Sequence, residues 1–292
     1  MHRITLAQFS QPIIFRSAKR ILALHIFLML LVFSGTSCVA QQLSLLALSK
    51  ADHTLAIVDP VTLKVVARVP VGQDPHEVVV SSDGKTAYVS IYGGGSLHEI
   101  NVIDLVARKP LFTIDTRPLF GPHGLAFADG KLWFTAEGSK CVGRYDPNTK
   151  KVEWCMGTGQ DRTHMIYVSA DGKKVYTTNV NSGTVSILVN TSSTEERHHE
   201  WTQTVVPVYK SSEGFDVTPD GRQLWTASAD DGSIAIIDLA TKKVSATIDA
   251  KALGANRLSF TPDGKRALVS SLRTGDLYVF EVASHKEIKR IN

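Results

Sequence analysis

An Asp-Gly turn recurs five times in this chain at nearly constant distance, each time between the same two kinds of apolar segment. The first copy runs from Pro75-His76-Glu77 through Asp83-Gly84 to Tyr88-Val89-Ser90. The pattern returns from Pro122-His123-Gly124 through Asp129-Gly130 to Trp133-Phe134-Thr135, and from Thr163-His164-Met165 through Asp171-Gly172 to Tyr176-Thr177-Thr178. Two more copies carry Glu213 and Asn256 in the histidine's place and keep the turn as Asp220-Gly221 and Asp263-Gly264. The turn aspartates lie 46, 42, 49 and 43 residues apart. A unit of short strands repeated at this period cannot bury its apolar face alone. It predicts an all-β propeller of four-stranded antiparallel blades.

Each unit reads as four strands, numbered from the axis outward. The first follows the histidine position, the second follows the Asp-Gly turn, and the third ends in an aspartate, as at Asp59, Asp146 and Asp238. A short polar turn leads to the fourth. Alternation and β-branched residues support the strands, and Asp-Gly is a strong hairpin signal. The recurring aspartates are read as turn formers, because an Asp side chain accepts bonds from backbone amides just ahead of it. Residues 43–71 supply only the last three strands of a unit, and residues 75–291 supply five full ones. Six units are visible. A closing innermost strand for the first unit is expected from the far terminus and is not found there, so the ring closes loosely as six units or leaves a seventh place open.

Residues 1–40 read as a secretory signal peptide. Arg3, Arg16, Lys19 and Arg20 precede an apolar run from Ile21 to Phe33, and small residues follow up to Ala40. The run is shorter than a membrane-spanning helix needs. Export to the bacterial periplasm or beyond is therefore expected, with lipidation at Cys38 as an alternative. The propeller domain is then residues 41–292, with no transmembrane segment. The chain holds 32 basic and 28 acidic residues, and the leader accounts for four basic and no acidic ones. The remainder is balanced at 28 of each. A neutral domain has no bulk attraction for phosphate backbones, which argues against nucleic acid as a partner. A monomer binding a small molecule or an exported protein is the expectation.

The second-strand sequences Tyr88-Val89-Ser90, Tyr176-Thr177-Thr178-Asn179 and Trp225-Thr226-Ala227-Ser228 resemble those of the YVTN-repeat β-propellers. So do the links Gly72-Gln73-Asp74-Pro75-His76 and Gly121-Pro122-His123-Gly124, and the turns Thr218-Pro219-Asp220-Gly221 and Thr261-Pro262-Asp263-Gly264. The family includes YncE-like and lactonase-like exported proteins. The resemblance implies an exported propeller, usually of seven blades, and is poorly specific for function.

Strand direction places His76, His123, His164, Glu213 and Asn256 at one level around the channel, with Arg162 and Arg257 beside them. The loops holding Glu137, Asn179, Asn181, Asp230, Asp231 and Arg273 should ring the same mouth. His76, His123 and His164 on successive blades could converge on a divalent transition metal, since imidazole with carboxylate suits zinc, copper, iron or nickel. The bland reading is that each histidine bonds only to the next blade. The adjacent His198 and His199 fall in a charged insertion and read as a solvated loop tip. The functional expectation is an exported propeller that binds a small ligand, metal ion or protein partner at the channel mouth without catalysis. Alternatives are a lactonase-like hydrolase with a histidine-lined metal centre and a scaffold for protein interaction. No acid–base pair is specified by spacing, so no catalytic residue is assigned. No Cys-x-x-Cys-His occurs, which excludes covalent c-type haem.

Cys141 and Cys155 are placed symmetrically about Asn148 on the third and fourth strands of one unit. They are expected to face each other across an antiparallel pair, close enough for a disulfide in an exported protein.

Overall fold

The computed structural model describes residues 43–192 and 201–292. The expected signal peptide, Cys38 and the tip at His198 and His199 lie outside the described residues. The remainder forms six antiparallel sheets arranged as a six-bladed β-propeller. The first sheet has three strands, Leu45–Ser49, Thr54–Val58 and Val65–Pro70, and the other five have four each. Helical structure among the described residues is confined to two short turns, Gly93–Gly95 and Glu137–Ser139, and no helix is long and apolar enough to cross a membrane.

The blades are held by what lies between them. A separate apolar cluster fills each junction from the first sheet to the sixth. Tyr88 and Tyr176 share one position in their units, and Trp133 and Trp225 share it in theirs; each enters the cluster beside its blade. Trp133 and Trp225 are fully buried, and burying a large aromatic contributes on the order of 2–3 kcal/mol. Among the described residues no such cluster joins the sixth sheet to the first, and Leu45 on the first sheet and Ile291 on the sixth are exposed. The sheets nevertheless curve around a common axis. Arg257 of the sixth sheet's first strand is paired with Glu77 of the second sheet's.

The turns explain the registers. Four of the five Asp-Gly aspartates take a hydroxyl and an amide at once: Asp220 accepts from Thr218 at 2.6 Å and from the Arg222 N–H at 3.0 Å, and Asp83, Asp171 and Asp263 repeat the arrangement, whereas Asp129 has Phe127 where the others have Ser or Thr. Each turn between third and fourth strands ends in a left-handed residue in five sheets, at Leu63, Arg108, Lys150, Lys242 and His285. The same five sheets show a one-residue register shift just beyond that turn. The unpaired residue of each bulge lies on the fourth strand, at Val66, Leu111, Glu153, Ser245 and Ile288. This alters the pairing expected for the cysteines. Cys141 pairs with Gly157 and Cys155 with Gly143, because the bulge lies between Arg144 and Tyr145. Both are free thiols, one buried and one exposed. Symmetry about the turn centre fails once one strand carries an additional residue.

A second irregularity falls where the channel begins. The pairing of first with second strand is interrupted between Pro75 and Val78, Pro122 and Leu125, Thr163 and Ile166, Ser212 and Phe215, and Ala255 and Arg257. Freed from the ladder, this stretch of backbone turns its side chains toward the axis.

Candidate functional site

The residue before each first strand is left-handed in all five complete blades: Asp74, Gly121, Arg162, Ser211 and Gly254. Its carbonyl accepts from the residue just after the second strand, as in Tyr92 to Asp74, Glu137 to Gly121 and Val180 to Arg162. The next blade then ties back, since Gly121 N–H donates to Leu97, Ser211 to Val180 and Gly254 to Ala229. These bonds fix the heights of the link and the mouth loop together. The junction of the second and third blades is especially tight. Gly121 has φ +67°, and a Cβ there would lie 2.8 Å from Gly95 Cα and 2.9 Å from Gly138 N. A Cβ on Gly138 would collide with the Gly95 carbonyl oxygen. Glu137 is thus carried to the mouth on a turn that leaves no room for a side chain beneath it.

Hydroxyls on the second strands tie the histidine blades to one another. Ser90 accepts the Glu77 N–H at 3.0 Å and donates to the His123 carbonyl at 2.8 Å. Thr135 accepts the Gly124 N–H at 2.9 Å and donates to the His164 carbonyl. Thr178 accepts the Met165 N–H at 3.4 Å and donates to the Glu213 carbonyl at 2.7 Å. The unpaired stretch of each first strand is therefore satisfied by its own blade and locked by the one before.

The axial side chains form one cluster. The rings of His76 and His123 lie 4.1 Å apart between centroids, and those of His123 and His164 lie 3.8 Å apart. Tyr92 stands edge-on to His76 and His123. His164 Nδ1 is 3.0 Å from Glu137 Oε2, and Arg162 Nε donates to Glu137 Oε1 at 2.8 Å. Arg162 Nη2 also reaches Glu213 Oε1 at 3.2 Å. Asn256 donates to the other oxygen of Glu213, and Arg257 Nη1 donates to Asn256 Oδ1 at 3.1 Å. All seven mouth residues expected from the sequence meet here, and Glu137, Glu77, Tyr92 and Lys50 join them.

His123 differs from its neighbours. It is fully buried, and neither ring nitrogen has a hydrogen-bond partner. Burial pushes its pKa far down, with His164, His76 and the two arginines adding to the effect. The ring is a neutral imidazole. His76 is also lowered, to about 4, by burial and by Lys50, whose Nζ lies 2.7 Å from its Nδ1. Burial opposes charge on Glu137, but His164, Arg162 and Tyr92 outweigh it and hold its carboxyl below the usual range. Burial and the adjoining Glu137 push the Tyr92 phenol up to about 12.

His123, Glu137 and His164 can bring one donor atom each within 4.8 Å of one another, and all three are buried. His76 stacks on the outside of this trio with Nδ1 occupied by Lys50. Neutral imidazole and ionised carboxylate are the forms a metal requires. Two histidines and one carboxylate suit zinc or iron(II) and leave coordination positions open.

Of the other mouth-loop residues, Asn179 spends its side chain inside the fourth blade on Thr163, Thr184 and Ser186. Asn181 bonds Asp161, and Asp231 caps its own turn at Ser233. Glu137 alone among them enters the cluster as a ligand candidate. The recurring Ser or Thr at 90, 135 and 178 was a readable signal for the tie between blades, since it holds one place in three units. A groove of about 490 Å³ between the fourth and fifth blades lies among the polar turns of the other face, beside Tyr176, Arg222 and Asp238.

No family model and no curated protein matches the sequence. Solved structures do match in fold. Hydrazine synthase from Kuenenia stuttgartiensis aligns at TM-score 0.69 and 18% identity, over 82% of this chain and 80% of that one. A protein of unknown function from Desulfotomaculum acetoxidans aligns at TM-score 0.66 and 17% identity, over 84% and 81%. A candidate 6-phosphogluconolactonase from Bacteroides fragilis aligns at TM-score 0.64 and 16% identity, over 82% and 77%. At these identities the likeness is one of fold: the chain is similar to these proteins in being a β-propeller.

Proposed function

We propose that this chain is an exported propeller of the YVTN type that holds a divalent transition-metal ion at its channel mouth through His123, His164 and Glu137. The observation that carries the reading is the bare imidazole of His123. A fully buried ring with two unpartnered nitrogens leaves a donor and an acceptor unmet, which costs about 1–3 kcal/mol for each orphan. A metal ion removes that cost on one side of the ring. In this reading the ion sits between His164 Nδ1 and Glu137 Oε2 in place of their hydrogen bond, and the His164 ring carries its one proton on Nε2. Export is supported by the leader-like composition of residues 1–40, and the YVTN assignment by the second-strand and link sequences.

The test is metal analysis of the purified protein, with His123→Ala, His164→Ala and Glu137→Ala alongside. One equivalent of zinc or iron in the wild type, lost in each variant with circular dichroism unchanged, is the expected result. Wild-type protein that takes up no metal from zinc- or iron(II)-supplemented buffer would overturn it. A second reading, a lactone hydrolase, draws on the name of the Bacteroides fragilis neighbour and on the open positions of a three-ligand ion, which could activate water. Hydrolysis of 6-phosphogluconolactone that disappears on chelation separates it from a purely binding role.

A further inference from the structure

We propose that the inner edge of the strand Leu45–Ser49 is a docking site for an extended segment of a partner polypeptide, which adds to the first sheet the inner strand that the other five possess. The site does not depend on the metal reading, and three observations lead to it.

The first is an open edge. In the five complete blades a first strand pairs antiparallel with the inner edge of the second. Leu45–Ser49 is the second strand of its unit, paired with Thr54–Val58, and among the described residues no strand lies on its other edge. The second is exposed apolar surface on both walls of that place. Leu45 is 50% exposed, whereas its counterparts Ala87, Leu132, Val175, Leu224 and Ala267 are all 0%. Ala47 is exposed too, and Val89 and Phe134 in its position are buried. On the facing wall, Leu268 of the sixth sheet is half-buried where Tyr88, Trp133, Tyr176 and Trp225 are packed against the following blade. Leu272 is 78% exposed where Val180 is 2%. The third is an unspent donor. Ser90, Thr135 and Thr178 are buried, and each donates to the carbonyl of the second residue of the next blade's first strand, at His123, His164 and Glu213. Ser270 holds that position in the sixth sheet, is partly exposed, and has no side-chain partner among the described residues.

The five strands that fill this place in the other sheets state what it accepts. Their second residue is polar, the fourth is Val78, Leu125, Ile166, Phe215 or Leu258, and the sixth is Val or Phe. Their register, carried over to the first sheet, sets the fourth, fifth and sixth residues of the segment opposite Ala47, Leu46 and Leu45. Ser270 then donates to the carbonyl of its second residue. Main-chain bonds along such an edge supply affinity, and pockets for alternate side chains supply specificity. At the level of the first strands the sixth sheet meets the second through the long side chains of Arg257 and Glu77. The place between them is that of one strand, which a single extended segment fits and the sheet edge of a second copy does not.

The experiment uses the full chain and a fluorescein-labelled synthetic peptide with the sequence of residues 121–128, Gly-Pro-His-Gly-Leu-Ala-Phe-Ala, with its scrambled form as control. Fluorescence anisotropy should show saturable binding of the peptide and none of the scramble. Hydrogen exchange at residues 45–49 should be fast in the free protein beside residues 86–91, and slow once the peptide binds. Leu45→Asp should weaken binding roughly ten-fold, the worth of one apolar side chain at the contact. Ser270→Ala should weaken it about two- to ten-fold, the worth of one hydrogen bond, and Ser270→Thr should keep the affinity. Both side chains are exposed enough for the fold to tolerate these changes. No saturable binding at millimolar peptide, or binding that both substitutions leave unchanged, overturns the proposal. Residues 45–49 already protected in the free chain overturn it in favour of the chain's own residues. Protection that appears only as protein concentration rises overturns it in favour of a second copy.

Discussion

Replacing His123 with leucine should make the metal-free protein no less stable and the metal-loaded protein markedly less so. Neutral imidazole has one donor and one acceptor, and neither is met at this position. Two buried orphans cost about 2–6 kcal/mol together. Leucine removes both while roughly keeping the volume. Against this stand the lost ring contacts with His76, His164 and Tyr92, each worth about 0.5–1.5 kcal/mol. The midpoints of the two ranges, about 4 and about 3 kcal/mol, leave the balance in a chelating buffer at about 1 kcal/mol in favour of leucine. In a domain of this size 1 kcal/mol moves Tm by about 2–4 °C. Zinc at 100 times its Kd should stabilise the wild type by about 2.7 kcal/mol, or roughly 5–11 °C, and should leave the variant unmoved. The order of the two melting curves should therefore invert between EDTA and zinc, read by scanning calorimetry. A variant that melts far below the wild type in EDTA, as a core cavity would make it, would refute the claim that the His123 nitrogens are unmet. A variant that zinc stabilises as much as the wild type would refute the assignment of His123 as a ligand.

Thr135→Val keeps the shape of the side chain and deletes the bridge from Gly124 to His164. Two buried backbone groups lose their partner, so Tm should fall by several degrees for a loss of about 2 kcal/mol or more, and zinc affinity should fall with it; an unchanged Tm would mean the bridge is dispensable. The metal-free protein should lose stability on acidification. His76 and His123 have depressed folded pKa values against an ordinary value near 6.5. The unfolded chain thus binds more protons than the native one below that pH. Their contribution is complete above about pH 6.5 and declines toward pH 4, where His76 begins to take its proton in the fold. Urea titrations from pH 7 to 4 should show a monotonic decline of the unfolding free energy, and a flat profile would contradict it. Cys155 should react rapidly with a thiol reagent in the native protein. Cys141 should react only after unfolding, because burial pushes its thiol up to about 12. Peptide mass mapping that finds the two joined would disprove the free-thiol state.

The propeller was legible because its period is written in residues with one conformational meaning. Asp-Gly at 83, 129, 171, 220 and 263 fixes a hairpin wherever it falls, and the strands on either side alternate. The level of His76, His123, His164, Glu213 and Asn256 followed from their place six or seven residues before that turn. Glu137 was harder to single out, since its role depends on a short turn whose position is set by Gly121 and Gly138 packing on Gly95. Lys50 reaches His76 from another blade, a contact that no comparison of repeats can reveal. The pairing of Cys141 with Cys155 rested on a symmetric hairpin, and the unpaired Glu153 on the fourth strand breaks that symmetry.

The left-handed links divide into three sockets that hold a side chain, Asp74, Arg162 and Ser211, and two, Gly121 and Gly254, where a Cβ would come within 3 Å of a neighbouring atom. Aspartate, glycine, arginine, serine and glycine occupy them here, on backbones that differ in φ by no more than about 20°. A non-glycine residue pays roughly 1–2 kcal/mol to sit in one, whatever its charge. The ionic character of the opening can therefore be rewritten at those three blades, at a fixed and modest cost, with the wall of strands behind it left undisturbed. Asp74 and Arg162 show that the exchange accommodates either sign.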